Sequence, residues 1–125
     1  MVYKESILHV PDNSNVMYVK LIKVLKNKNQ HGKIGNDIIV SVQIIKKEEE
    51  RKINKGDVLS GVIIQTKKRI SRKQSGYFLC FNKNCCVVFT KNKTKLTGSR
   101  LFVPVPKELR YKNQMKILTI APCII

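Results

Sequence analysis

The sequence has no tryptophan, only two histidines, and 8 Asp plus Glu against 25 Lys plus Arg in 125 residues. Each shortage excludes something. From His9 and His31 alone no Ser-His-Asp or Cys-His arrangement can be argued. Three of the carboxylates, Glu48, Glu49 and Glu50, sit together in the run 46–55, which reads as a solvated loop or hairpin tip. They are a poor source for a buried acid pair. Asp12, Asp37 and Asp57 fall at expected turns, where Asp bonds its own backbone. No Gly-rich loop of the Walker or Rossmann type is present. The reading is of a protein that is not an enzyme and takes no cofactor.

The four cysteines, Cys80, Cys85, Cys86 and Cys123, lack the paired spacing of a zinc site. Cys85 and Cys86 are adjacent, so on a strand they face opposite sides. No metal is expected, nor a disulfide scaffold; buried or partly buried free thiols are. Long apolar runs are also missing. Ile38-Ile39-Val40 ends at Ser41, far short of the ~20 apolar residues of a membrane span. Residues 1–10 lack the apolar stretch of a secretory signal and the Arg-rich character of a transit peptide. A soluble protein with no cleaved presequence and no membrane partner is expected.

What is present is positive charge on a foldable chain. The formal net charge is +17, yet 42% of residues are hydrophobic, too many for a disordered basic tail. The length suits one domain, 1–125. A field that strong attracts polyanions and destabilises the free protein by self-repulsion. The charge is 20 Lys and 5 Arg, beside 15 Ile and 10 Asn. Those three abundant types are the ones AT-rich codons specify, so part of the lysine excess reads as genome bias.

The chain reads as all-β dominated. Segments 38–45, 58–66, 84–90, 100–105 and 117–124 are dense in β-branched and aromatic residues and bounded by Gly, Pro, Asn or Lys. Segment 18–26 carries Lys20, Lys23 and Lys26 at a helix-like interval, but its Val and Ile content and short length favour a strand. Such strands, without long helices between them, suggest a small closed barrel. The helical stretch is 106–116, with Pro106 at its start and Asn113 able to divide it in two.

Residues 66–81 carry the functional signal. Lys67, Lys68, Arg69, Arg72 and Lys73 put five cations within seven residues, Ser75-Gly76 marks a hairpin turn, and Tyr77, Phe78 and Phe81 follow. A two-stranded ribbon cannot bury itself. The bland alternative is a loop of solvated charge with Phe78 and Phe81 in the core. At this net charge the favoured reading is an RNA-inserting ribbon with cations on phosphates and aromatics against sugars or bases.

At the same stretch the sequence resembles the universal large-subunit ribosomal protein L-fourteen family, bacterial or organellar type. The resemblance rests on Gly61, Val62-Ile63-Ile64, a ten-residue spacer, Ser75-Gly76, then Phe81, Asn84, Val87 and Val88. It extends to Asp12-Asn13-Ser14, Lys55-Gly56-Asp57-Val58-Leu59, Gly98-Ser99-Arg100-Leu101-Phe102, Pro104-Val105, Glu108-Leu109-Arg110, Met115-Lys116-Ile117 and Ala121-Pro122. Two positions depart from the family pattern. Asn15 stands for the Gly of the first turn, which left-handed Asn geometry would preserve. Val103 stands for the Gly after Phe102, which argues against a Gly-only backbone there.

The resemblance implies a five-stranded β-barrel, a projecting β-ribbon hairpin at about 66–81 and short C-terminal helices at about 106–116. It implies a structural constituent of the large ribosomal subunit that binds large-subunit rRNA. It further implies an inter-subunit bridge to small-subunit rRNA, beside ribosomal proteins L-three and L-nineteen, and a docking site for a ribosome silencing factor. Carried over by position, Lys23, Lys67, Lys68, Arg69, Arg72, Lys73 and Arg100 would contact rRNA. Lys107, Arg110, Lys112 and Lys116 would lie on the bridge side. The Lys/Ile/Asn bias points to an organelle-encoded protein of the mitochondrial ribosome; a plastid-like organelle or an AT-rich bacterium is the alternative. The competing function is a free-standing single-stranded nucleic-acid binder of the OB type. A peripheral membrane role is disfavoured because 106–116 has too few apolar residues.

Overall fold

A computed structural model describes residues 1–47 and 53–125. The loop expected at Glu48-Glu49-Glu50 lies outside the described residues. Among the described residues nine strands run in chain order: β1 Val2–Tyr3, β2 Ile7–His9, β3 Val16–Val24, β4 His31–Gly32, β5 Asp37–Ile45, β6 Val58–Gln65, β7 Ile70–Arg72, β8 Tyr77–Leu79 and β9 Cys85–Val88. A 3-10 helix, Lys107–Lys112, and one α-helix, α1 Met115–Ile120, follow. β2, β3, β5, β6 and β9 close a five-stranded barrel. Its neighbours are antiparallel except at the seam, where His9 of β2 meets Cys85 of β9 in parallel.

Strand pattern explains the interior. On β5, Ile38, Val40 and Val42 are buried and alternate with half-buried Asp37, Ile39 and Ser41. That is the period-2 signature of a strand with one face in the core. The second half of β6 breaks the alternation, since every residue from Gly61 to Gln65 is buried. Both of its faces are therefore covered. Part of the cover is the turn before β5, where the Gly35 N–H donates to the Ile63 carbonyl (2.8 Å). Another part is the C-terminal segment, where the Gln65 side-chain amide donates to the Pro104 carbonyl (2.6 Å).

Three expected elements differ. Segment 18–26 is a strand, but it ends at Val24, and Lys26 turns the chain with φ 55°. Segment 100–105 is not a strand; it makes only single bridges, Leu101 to Asp12 and Val105 to Ile124. Pro104 and Pro106 have no N–H to give a ladder, which is the physical reason. Segment 117–124 is not a strand either. Ile117 and Leu118 are adjacent and both buried, which a one-faced strand cannot do, and they lie on α1. The helical stretch 106–116 begins as a 3-10 helix after Pro106 and is ended by Asn113 in left-handed geometry, φ 58°. The division at Asn113 is therefore real, with the second helix carried on to Ile120.

The first turn is also built differently from expectation. Among the described non-glycine residues left-handed φ falls on Glu5, Lys26, Gln30, Lys93 and Asn113, not on Asn15. Instead Asp12 organises the turn, its Oδ1 accepting from the Ser14 N–H (2.9 Å) and from the Ser14 hydroxyl. The Asn15 side chain bonds the Lys47 backbone, with Oδ1 accepting from the Lys47 N–H (2.8 Å).

Candidate nucleic-acid interface

The ribbon leaves the barrel at the end of β6. β7 and β8 pair antiparallel through Ile70–Leu79, Ser71–Phe78 and Arg72–Tyr77. The turn between them is closed by Ser75 and Gly76 N–H groups donating to the Arg72 carbonyl, with Gly76 at φ 69°. Left-handed geometry there is open to glycine at little cost. At the base, the Asn84 side-chain oxygen accepts from the Lys67 N–H (2.9 Å), and the Phe81 N–H donates to the Thr66 carbonyl (3.2 Å). The two ends of the ribbon are thus tied together where they meet the barrel.

Lys67, Lys68, Arg69 and Lys73 are exposed on this ribbon. The Arg69 guanidinium sits 5.8 Å from the centre of the Phe78 ring. Phe78 is 65% exposed and Tyr77 74% exposed, whereas Phe81 packs against the core. The bland reading, with both phenylalanines buried, therefore holds for Phe81 only. Exposing two aromatics at a ribbon tip costs solvation free energy that a partner surface would recover.

Arg72 behaves differently from its neighbours. Its Nε and one terminal nitrogen donate to the Glu108 carboxylate at 2.6 and 2.9 Å, and it also donates to the Ile125 carbonyl (2.7 Å). This bidentate pair ties β7 to the 3-10 helix. The hydrogen bond from Arg72 holds the Glu108 carboxyl below its ordinary value, against the opposing effect of partial burial. Arg72 is a brace for the ribbon, with three of its five N–H donors committed to that role.

The 3-10 helix sorts its own residues, because positions three apart share an edge. Lys107 and Arg110 form one exposed edge. Leu109 is fully buried, and Lys112, three residues on, lays its stem over Gly35. Lys112 consequently faces the ribbon side, into a cavity of about 650 Å³ that it shares with Lys68 and Arg69. Lys26 and Lys33 complete the basic wall of that cavity. Another, smaller concavity carries Lys4, Lys23 and Lys28 and adjoins the first through Asn27. Lys116 lies on α1 and donates to the Thr94 carbonyl (3.3 Å), and Arg100 is exposed beside the Asp12 turn.

Sequence reasoning missed Lys4, Lys26, Lys28 and Lys33. All four lie in turns or loops outside the strands, and only the fold gathers them with the ribbon cations. Ion pairing does little to offset these charges. Among the described residues the pairs are Lys20–Glu5 (3.9 Å), Arg72–Glu108 (2.6 Å) and Lys91–Asp57 (3.1 Å). No described carboxylate pairs with Lys67, Lys68, Arg69 or Lys73. Cys85 and Cys86 are both buried, and burial pushes the Cys85 thiol up to about 11 and Cys86 well above its usual value. Cys80 and Cys123 are exposed, which departs from the expected burial.

A closed five-stranded barrel bearing a basic ribbon and short C-terminal helices defines a class, the small β-barrel proteins with a projecting polybasic hairpin. The sequence model of the family described as Ribosomal protein L14p/L23e matches residues 1–125, the whole chain. The chain belongs to that family. It is a structural protein of the large ribosomal subunit, and the family is not one of enzymes.

Proposed function

We propose that this protein binds large-subunit rRNA through its ribbon and the adjoining lysine surface, and contributes from its C-terminal helices to a bridge with small-subunit rRNA. The observation that carries the reading is the ribbon itself. Lys67, Lys68, Arg69 and Lys73 stand exposed on an element tied at its base and braced by Arg72, with exposed aromatics beside them. Rigid placement lowers the entropy cost of engaging phosphates. Lys23 and Arg100 extend the rRNA-facing surface on the barrel, and Arg72 serves it indirectly as the brace. Lys107, Arg110 and Lys116 suit the bridge side, while Lys112 groups better with the ribbon.

Ribosomal proteins L-three and L-nineteen are the neighbours this reading expects, and a ribosome silencing factor is the expected visitor to the subunit-joining face. Exposed apolar residues such as Tyr3, Ile7, Val58 and Phe102 are suited to protein contacts. The 125 residues work as one domain in this reading. Its compartment is the mitochondrial ribosome, on the strength of the Lys/Ile/Asn bias. Mass spectrometry of purified mitochondrial large subunits tests that point directly.

The functional test is the triple variant Lys67→Glu, Lys68→Glu, Arg69→Glu in a tagged protein. Loss of three cations and gain of three anions should cut incorporation into large subunits by about tenfold or more. Thermal unfolding should change little, because all three residues are exposed. Co-sedimentation equal to the parent protein would rule out the ribbon as the rRNA contact. Migration of the parent protein apart from any large particle would favour the OB-type binder instead.

A further inference from the structure

The 650 Å³ cavity between the ribbon base, the loop joining β3 to β4 and the 3-10 helix is more than an extension of the basic surface. Five cations converge on it from separate stretches of chain: Lys26, Lys33, Lys68, Arg69 and Lys112. The one carboxylate on its wall, Glu108, is already spent on Arg72. Its size is that of a pocket for one small-molecule-sized group. A duplex lies across such an opening and cannot enter it.

The wall is not uniformly polar. Ile34 and Ile70 supply an apolar side, and Asn29 and Asn36 stand among the cations. The loop that forms it is internally fixed. The Asn27 side chain donates to the His31 carbonyl (2.6 Å) and accepts from the Asn29 N–H (3.0 Å). The Asn36 side-chain oxygen accepts from the Lys33 N–H (2.7 Å). Lys26, Gln30 and Gly35 hold left-handed φ of 55°, 55° and 85° along it. Such geometry at non-glycine residues persists only where the surroundings over-determine it.

We propose that this cavity receives a single nucleotide extruded from the rRNA, its phosphate among the wall's lysines and its base against the Ile34 and Ile70 side. The proposal rests on the rRNA reading above and adds to it where one nucleotide leaves its stack. A base taken out of its stack is held by aromatic or apolar side chains against its faces and by hydrogen bonds to its edge, and sequence-specific RNA recognition works on such splayed-out bases. An acidic protein segment would satisfy the cations. It has less use for an apolar side flanked by asparagines, and Lys68 and Arg69 belong at once to the cavity and to the ribbon.

The test places a photo-crosslinking amino acid at exposed Asn29, and separately at Gln74 in the ribbon turn, in protein assembled into intact large subunits. Asn29 should crosslink to one rRNA nucleotide and Gln74 to a different position. Adding Lys26→Ala and Lys33→Ala should lower the Asn29 crosslink by about fivefold or more while sparing that from Gln74, since removing two phosphate contacts acts locally. Both lysines are exposed, so the variant should melt like the parent. An Asn29 crosslink to protein, to no RNA, or spread along a run of paired nucleotides overturns the cavity proposal while Gln74 still reports rRNA. Silence at both positions overturns the rRNA reading itself.

Discussion

Gly61 shows that residues which identify this chain serve its structure. A β-carbon built on Gly61 would lie 2.5 Å from the Val87 carbonyl oxygen on β9. The absent side chain lets β6 and β9 close the barrel. The rest of the recognised pattern is structural in the same way. Val62, Ile63 and Ile64 are buried, Gly76 makes the ribbon turn, Asn84 ties the ribbon base, and Val87 and Val88 line β9. Replacing Gly61 with Ala should destabilise the protein by about 1–3 kcal/mol, the usual cost of overpacking a tight site. Denaturant unfolding would read this as a lowered midpoint with an unchanged slope. A midpoint equal to the parent's would mean that β9 yields at no cost. The pattern was legible in the sequence because each of its positions answers a local steric demand. The exposed cations were legible only as a cluster, since nothing local fixes which of them turns inward.

The ribbon depends on an element far away in sequence. Arg72 reaches Glu108 across 36 positions, and the 3-10 helix holds the carboxylate in place through buried Leu109. Glu108→Gln should remove the charge from a partly buried bidentate pair and weaken ribbon docking by about 1–2 kcal/mol. Hydrogen exchange of the Ser71–Leu79 amides should quicken accordingly. The pH dependence has a definite sign. Because Glu108 titrates lower when folded, its contribution is fully present above the ordinary glutamate value of about 4.3. It is lost as pH falls through the lowered folded value. Faster ribbon exchange at acid pH in the parent, and none of that acid dependence in Glu108→Gln, is the expected pair of results. Equal acid dependence in both proteins would assign the effect to another carboxylate. At this scale the sequence was read well where strands alternate, as on β5. It was misread at 117–124, where β-branched content suggested a strand. Ile117 and Leu118 are adjacent and both buried, which a strand with only one covered face does not give, and they lie on α1.

The whole molecule carries +17, and five of its eight carboxylates lie in the described residues. Three of those five are in ion pairs, Asp37 accepts from the Gln114 amide (3.1 Å), and Asp12 is buried in its turn. None of the remaining described cations pairs with a described carboxylate. Binding of the intact protein to a large-subunit rRNA fragment should therefore weaken steeply with salt, by about 10³-fold or more between about 50 and 200 mM, as release of condensed counterions requires. An affinity flat across that range would mean that apolar contacts and not phosphates dominate.

The sequence by itself determined the class of fold, the family, the excess of positive charge and the position of the ribbon. Those follow from residue alternation, turn chemistry and composition, which are local properties that any reader of the chain can see. Only the tertiary structure decided which cations lie together. It turned Arg72 inward as a brace, moved Lys112 from the helix edge to the ribbon side, and drew Lys26 and Lys33 into one wall with Lys68 and Arg69. The physical reason is that charge convergence depends on where the barrel closes and how its last helices pack. Those are long-range contacts, and no single stretch of the chain carries them.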